Sequence, residues 1–358
     1  MDIAVVVETR EALPDGVRLW LAGNTEQLGR WRPDGLAMVR AGDCCWEATV
    51  RVGDGEPVEF KVTRGGWDTE ARMEGCGAGN LRLLAEEGDG AVRRWKVASW
   101  KDERKRARRI AGQYEVWEKW PSAWLGRERE VIVWLPPGYR KDRAEGYPVL
   151  YLQDGRQVFD PGTSTWGAAW EVDETGQQMV EAGEIEPFIA VAADCTEARE
   201  EEYAPTKRGD DYLRFLTQEL KPEVDRRFRT DPARNCIGGS SMGGLISFYA
   251  GWTRPDVFSG AACLSPAFCG DYAGPMARAV EGSAAAGRMP GTRFFLSCGS
   301  GDDLERLLLD GTLEMAGRLE KLGYPRERLE VRIAPGEPHN EAAWAKMTPL
   351  FLRWLFGR

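Results

Sequence analysis

Hydrophobic and polar positions alternate with two different periods along this chain. Between residues 1 and about 85, short runs such as "VRLWLAG", "CWEATVRV" and "PVEFKVTR" place apolar residues at every second position, with Gly, Asn and Asp between them. A period of two is that of a half-buried strand, and several short strands at this spacing predict a small β-sandwich. From about residue 113 the pattern changes. Continuous apolar runs ("REVIVWLPPGY", "YPVLYLQDG", "PFIAVAAD", "NCIGG", "FSGAACLSP", "TRFFLSCGS", "LEVRI") alternate with longer stretches of helical period, such as "DDYLRFLTQELKPEVDRRF" and "LERLLLDGTLEMAGRLEKLGY". Alternating strands and helices predict a mostly parallel sheet covered on both faces. The fold expected is therefore α/β, preceded by a small all-β domain. Its segments are a β-sandwich over 1–87, a charge-dense linker over 88–112 around "SWKDERKRARRIAG", and an α/β domain over 113–358.

Composition narrows the function classes. The chain has 358 residues, enough for two domains, and a formal net charge of −9. An acidic protein is a poor match for sequence-independent nucleic-acid binding, which rests on neutralising phosphates. No apolar run approaches the ~18 residues of a membrane span, so no membrane association is expected. The start, "MDIAVVVETREALPDG", lacks the pattern of a secretory signal, which predicts a cytoplasmic protein unless a leader has been removed. Eight cysteines occur with no C-x-x-C pair, and there is one histidine. That pattern offers no zinc site, predicts no metal or other cofactor, and reads as reduced thiols.

Candidate chemistry centres on "CIGGSSMGGL". The pattern G-x-S-x-G fits Gly239-Ser240-Ser241-Met242-Gly243; centring it on Ser240 would need glycine where Met242 stands. An apolar strand precedes it and a helix-forming run follows, which is the setting of a nucleophile elbow. A serine hydroxyl needs a base, and His339, just after "LEVRI", is the chain's one imidazole. A carboxylate must then hold that imidazole. Asp302 and Asp303 follow the strand "FFLSCG" at the same sheet edge. Asp302 is the preferred acid, with Asp303 as the cap of the next helix. An oxyanion hole needs two backbone N–H groups. Met242, after the serine, is one source, and Arg156, in "YLQDGRQVFD", is the other.

These segments, together with "TSTWGAAWEVDET", "AREEEYAPT" and "SPAF", resemble the esterase family of α/β-hydrolases that includes feruloyl esterases, enterochelin esterases and mycolyltransferases. The resemblance covers about residues 111–358. It implies an α/β-hydrolase fold and a serine esterase without a metal, with Ser241 as nucleophile, His339 as base, Asp302 as acid, and Met242 and Arg156 N–H in the oxyanion hole. Cys269 stands where relatives often carry an aromatic residue. Residues 1–85 resemble starch-binding carbohydrate modules through "GNTEQLGRW", "CWEATVRV" and "VEFKVTRGGWDTE". That resemblance implies glucan binding by Trp31 and Trp67, with Lys61 as a polar contact; Trp46, in an alternating strand, is expected in the core. Trp166 and Trp170 are candidates for the cleft wall or the core, and Arg199, Glu202 and Tyr203 for a structural ion-pair cluster. The function expected is hydrolysis of acetyl or feruloyl esters on carbohydrate, the substrate being a small molecule or a polysaccharide. The alternatives are a siderophore esterase, an acyltransferase to sugar hydroxyls, and a non-catalytic carbohydrate-binding protein.

Overall fold

A computed structural model describes residues 1–53, 57–73, 80–85, 88–101, 108–164 and 167–357. Cys76 and Trp166 lie outside the described residues. The chain divides into two compact units, and the change falls between Arg108 and Arg109.

The N-terminal unit contains β1 (Asp2–Glu8), β2 (Trp20–Gly23), β3 (Leu36–Ala37), β4 (Val39–Arg40), β5 (Cys45–Arg51), β6 (Val58–Thr63), β7 (Ala71–Met73), β8 (Leu81–Leu83) and β9 (Val92–Trp100). They form two sheets, ordered β4-β5-β1-β9-β7 and β3-β2-β6-β8. Their alternate apolar residues, among them Val5, Val7, Leu21, Trp46, Val50, Phe60 and Val62, make one shared core. Trp95 of β9 meets Phe60 of β6 edge to face at 5.4 Å, bridging the two sheets.

This strand corrects the expected linker. "VRRWKVASW" lies inside the expected linker over 88–112. Yet β9 pairs with β1 in parallel and with β7 antiparallel, turning Val97 and Trp100 inward and its arginines outward. The far end of the expected linker is also committed. Ile110 is buried in the core of the second unit, and Arg109 and Ala111 donate their N–H groups to Asp160 (3.3 Å) and Asp173 (2.5 Å).

The second unit contains β10 (Gln113–Ser122), β11 (Arg127–Leu135), β12 (Tyr147–Leu152), α1 (Val172–Glu181), β13 (Ile189–Ala193), α2 (Arg199–Glu202), α3 (Lys207–Arg214) and α4 (Lys221–Arg227). It continues with β14 (Thr230–Ser240), α5 (Met242–Thr253), β15 (Phe258–Leu264), α6 (Gly270–Ala285), β16 (Arg293–Gly299), α7 (Asp303–Lys321), β17 (Leu329–Ala334) and α8 (Glu341–Phe356). The sheet order is β10-β11-β13-β12-β14-β15-β16-β17. β13 to β17 and β12 run parallel, and β10 and β11 are antiparallel additions at one edge. This is the α/β-hydrolase fold.

Every residue of β12 and β13 is buried, which is why both read as unbroken apolar runs. One face packs against α3 to α7 through residues such as Tyr212, Phe248, Met276 and Leu319. The other packs against α1 and α8 through Val172, Met179, Phe351 and Leu352. The chain passes from β12 to β13 on one side, then crosses to β14 on the other. The crevice outside the carboxyl ends of β12 and β14 is therefore the topological switch point, where open α/β sheets place their ligands.

Candidate active site

Ser241 lies between the end of β14 and the start of α5, with φ 56° and ψ −121°. A non-glycine residue holds such a backbone only where its surroundings fix it. Its N–H donates to Leu264 O at 2.8 Å, and its C=O accepts from Leu245 (3.0 Å) and Ala267 (3.1 Å). The flanking glycines follow from space. A Cβ on Gly239 would lie 2.3 Å from Gly243 O, and one on Gly243 would crowd Gln153 at 3.1 Å. The turn is that tight because α5 starts immediately. Met242 is its first residue, so the Met242 N–H stands outside the helical ladder.

At the end of β12, Asp154 takes a left-handed φ of 55°. Arg199 clamps it with Nε to Oδ1 and Nη2 to Oδ2, both at 2.8 Å, and the Tyr203 hydroxyl accepts the Asp154 N–H at 3.3 Å. Arg156 is tied to Asp194 through Nε (2.8 Å) and Nη2 (2.6 Å). Its backbone N–H lies 3.5 Å from Asp194 Oδ1, beyond the usual N–H···O range. Glu202 pairs with Arg129, both side chains fully buried. The "AREEEYAPT" cluster thus braces the loop that follows β12. Trp170 is 1% exposed and packs edge to face on Trp344, in the core beneath α8.

His339 lies in the loop after β17, and the carboxylate beside it is a correction to the expectation. Nδ1 is 2.6 Å from Oε1 of Glu305, the third residue of α7. Asp302 does not reach the ring. It is the N-cap of α7, where Oδ1 accepts the Glu305 N–H at 2.8 Å and Oδ2 accepts the His339 backbone N–H at 2.7 Å. Asp303, expected as the cap, is exposed and paired with Arg306. The signal for Glu305 was present in the sequence. Asp302-x-x-Glu305 has capping-box spacing, in which the N3 glutamate would turn back to the cap. Half of that box forms; the glutamate turns to the histidine instead.

The Glu305 carboxylate is buried. Its Oε2 accepts the Gly299 N–H at 2.6 Å and the Cys298 thiol at 3.1 Å. Burial works to raise its pKa, but hydrogen bonds from His339, Ser265, Cys298 and Gly299 outweigh burial and hold it below the usual glutamate value. Glu305 is thus an ionised acceptor beneath the imidazole.

Two residues beyond His339, Glu341 opens α8. It is 3% exposed, and its Oε2 has no hydrogen-bond partner among the described residues. Burial pushes its pKa up to about 7; the Asp154 charge adds to this, while His339 and Arg199 oppose it. No feature of the sequence pattern singled this residue out.

In the first unit the residues expected to bind glucan lie on different elements. Trp31 ends a 3-10 turn (Gly29–Trp31), Trp67 begins another (Trp67–Thr69), and both are half-buried. Lys61 is 2.5 Å from Glu70 Oε1. An open cleft of about 590 Å³ on this unit is lined instead by Gly16, Val17, Arg18, Trp20, Arg64 and Thr69. Trp46 is buried in the core. The seven described cysteines are free thiols. No described helix is long and apolar enough to cross a membrane.

A family model described as "Putative esterase" matches residues 122–346. The chain belongs to this esterase family. It is 26% identical over 251 residues to the protein YbbA of Bacillus subtilis, covering 64% of this chain and 93% of that one. It is also 26% identical over 246 residues to an endo-1,4-beta-xylanase/feruloyl esterase of Xylanibacter ruminicola, covering 64% of this chain but only 30% of that relative's length. Among solved structures, the enterobactin esterase FES of Shigella flexneri superposes with a TM-score of 0.54 at 15% identity, covering 98% of this chain and 92% of FES. At that identity the esterase shares the fold.

Proposed function

We propose that this protein is a serine carboxylic-ester hydrolase that works through an acyl-enzyme, with Ser241 as nucleophile, His339 as base and Glu305 as the acid that holds the imidazole. The observation that carries the reading is the 2.6 Å contact between His339 Nδ1 and the buried Glu305 carboxylate, at the sheet edge where the strained Ser241 turn lies. With Glu305 ionised, Nδ1 keeps its proton and donates a hydrogen bond to the carboxylate. Nε2 is then the basic nitrogen, free to take the serine proton as Ser241 attacks the ester carbonyl. The imidazolium formed is stabilised by the Glu305 charge. It returns its proton to the leaving alcohol, then activates water to release the acid. The oxyanion donors in this reading are Met242 N–H and Arg156 N–H. The Arg156 contact to Asp194 is long enough for a closer substrate oxygen to displace it.

The substrate reading is an acyl ester, and two versions stand. Sequence similarity to a feruloyl esterase favours acetyl or feruloyl groups on carbohydrate. The match of almost the whole chain to the FES fold favours a siderophore ester. Bound glucan at the sandwich would support the first version. Acyl transfer to a sugar hydroxyl would use the same acyl-enzyme.

The test is hydrolysis of p-nitrophenyl acetate by the wild type, Ser241→Ala and Glu305→Gln, followed by wild-type activity on methyl ferulate, acetylated xylan and a siderophore trilactone. Unchanged turnover by Ser241→Ala overturns the nucleophile. Full activity of Glu305→Gln overturns the acid. The preferred ester of the panel decides between the two substrate versions.

A further inference from the structure

We propose that the open cleft on the first unit binds a small planar aromatic carboxylate, stacked on Trp20 and held through its charge by Arg18 and Arg64. The cleft has a volume of about 590 Å³ and is lined by Gly16, Val17, Arg18, Trp20, Arg64 and Thr69. All six belong to the sandwich, so occupancy of the cleft is independent of the chemistry at Ser241.

The strand period puts Trp20 there. Leu19 and Leu21 are 0% exposed and belong to the sandwich core, so Trp20 between them faces outward. It stands opposite Thr63 of β6 and is half-buried. Among the described residues its ring has no aromatic or cationic partner, and its indole N–H has no acceptor. A lone surface tryptophan is common. The groups beside this one give it a role.

Two turns bring them. Pro14-Asp15-Gly16-Val17 closes through the Val17 N–H to Pro14 O at 3.1 Å, with Gly16 at φ 85°, the conformation that glycine supplies in a type II turn. Arg18 follows directly. It is exposed and has no ion pair, hydrogen bond or ring contact among the described residues. The second turn is Arg64–Thr69. Gly65, at φ 102°, lets it pass the indole edge, where a Cβ would stand 3.6 Å from Trp20 Nε1. The Arg64 guanidinium is held 4.6 Å from the centre of the Trp100 ring. Thr69 locks this turn. Its hydroxyl accepts the Arg64 and Gly66 N–H groups, at 3.2 and 3.3 Å, and donates to Gly66 O at 2.8 Å. One proton and two lone pairs are all a hydroxyl has, so Thr69 has nothing polar left to offer.

The other polar side-chain groups of the lining are donors only: two guanidinium groups and one indole N–H. No lining residue is acidic, although the whole chain carries a net charge of −9. A neutral saccharide suits such a lining badly. Each sugar hydroxyl has a proton to place as well as lone pairs, and no side-chain acceptor is offered. A carboxylate only accepts, and a guanidinium matches its geometry. The outward indole supplies a flat apolar face for a ring. A planar aromatic ring that carries a carboxylate meets both demands in one small molecule. Trp31, Lys61 and Trp67, the residues expected to bind glucan, do not line this cleft.

The test is a titration of the isotope-labelled full chain with cinnamate, read by NMR at the Trp20 indole N–H, the signal that Trp20→Phe removes. Cinnamate should shift it saturably. Cinnamamide, which keeps the ring and loses the charge, should bind at least about ten-fold more weakly, the scale of one hydrogen bond to a charged group. Arg18→Gln, at an exposed position, should weaken cinnamate by a similar factor. Inorganic phosphate, a charge without a ring, and maltotriose, a neutral sugar, should leave the signal in place. Absence of a saturable shift with cinnamate overturns the proposal. So does equal binding of cinnamate and cinnamamide, or an affinity that Arg18→Gln does not change. A maltotriose shift as large as that of cinnamate overturns it in favour of a glucan site, and an equal phosphate shift in favour of a general anion site. Failure of the esterase reading shows elsewhere, as turnover that survives Ser241→Ala.

Discussion

Around His339, polar groups are buried and hold one another. Glu305 is held by Gly299 N–H and Cys298, Asp302 ties the histidine backbone to α7, and Ser241 and Ser265 both keep left-handed φ values. On the sandwich the candidate sugar ligands are half-buried on separate turns, and the lysine among them is already neutralised by Glu70. The difference is one of over-determination. At the sheet edge, strand ends set the position of each group, and several partners fix its orientation. On the sandwich loops, each side chain has mainly its own turn to place it. Catalysis requires reacting groups held closely; stacking on a flat ligand tolerates far looser placement.

The comparison can be broken most sharply at the catalytic edge. Ser241→Ala should lower kcat/KM at least ~10³-fold in the nitrophenyl assay without lowering the melting temperature, since loss of the proposed nucleophile leaves only binding and oxyanion stabilisation. Next comes a contrast within one helical turn. Glu305→Gln should cost about 10²–10³-fold in kcat, because the amide favours the wrong imidazole tautomer. Asp302→Asn, which keeps a capping oxygen, should stay within about ten-fold and lose at most ~1 kcal/mol of stability. Equal effects of the two would erase the distinction between the cap and the acid.

A smaller effect concerns Glu341, whose buried Oε2 has no hydrogen-bond partner among the described residues. Its folded pKa of about 7 lies above the ordinary 4.5, so folding favours its neutral form. The cost of ionising it is absent below pH ~4.5, grows as pH rises through about 7 and is constant above. Glu341→Gln should therefore raise stability at pH 8 by on the order of 2–3 kcal/mol and leave it unchanged near pH 4, as read by chemical denaturation at both pH values. The smallest effect belongs to the sandwich. Trp31→Ala with Trp67→Ala should leave nitrophenyl acetate hydrolysis unchanged. Retardation in soluble starch gels, if Trp31 and Trp67 form the glucan site, should disappear with it.

Legibility in the sequence followed the range of the interactions. Ser241 could be read because its turn is local: glycine is required at 239 and 243 by contacts within a few residues and with the adjacent strand. His339 could be read because no other imidazole exists. The layered fold was visible because fully buried strands are continuous apolar runs. β9 was misread because its arginines and lysine dominate the composition, while the inward positions that define it are few. Glu305 was not among the expected acids, which were Asp302 and Asp303. It lies three residues from Asp302, and a helix turn brings both carboxylates near the strand end.

The amino-acid sequence alone thus determined the two layered folds and the serine turn and singled out the one imidazole, because period, local sterics and residue chemistry act over a few positions. Only the tertiary structure decided which carboxylate holds the histidine. Where α7 begins sends the first acid to the helix cap and the third beneath the ring, and that start depends on how β16, β17 and α8 pack around it. It also decided that a tryptophan and a serine from two other elements meet there, since Ser265 and Trp344 are 79 residues apart in the chain and become neighbours only when the sheet is assembled.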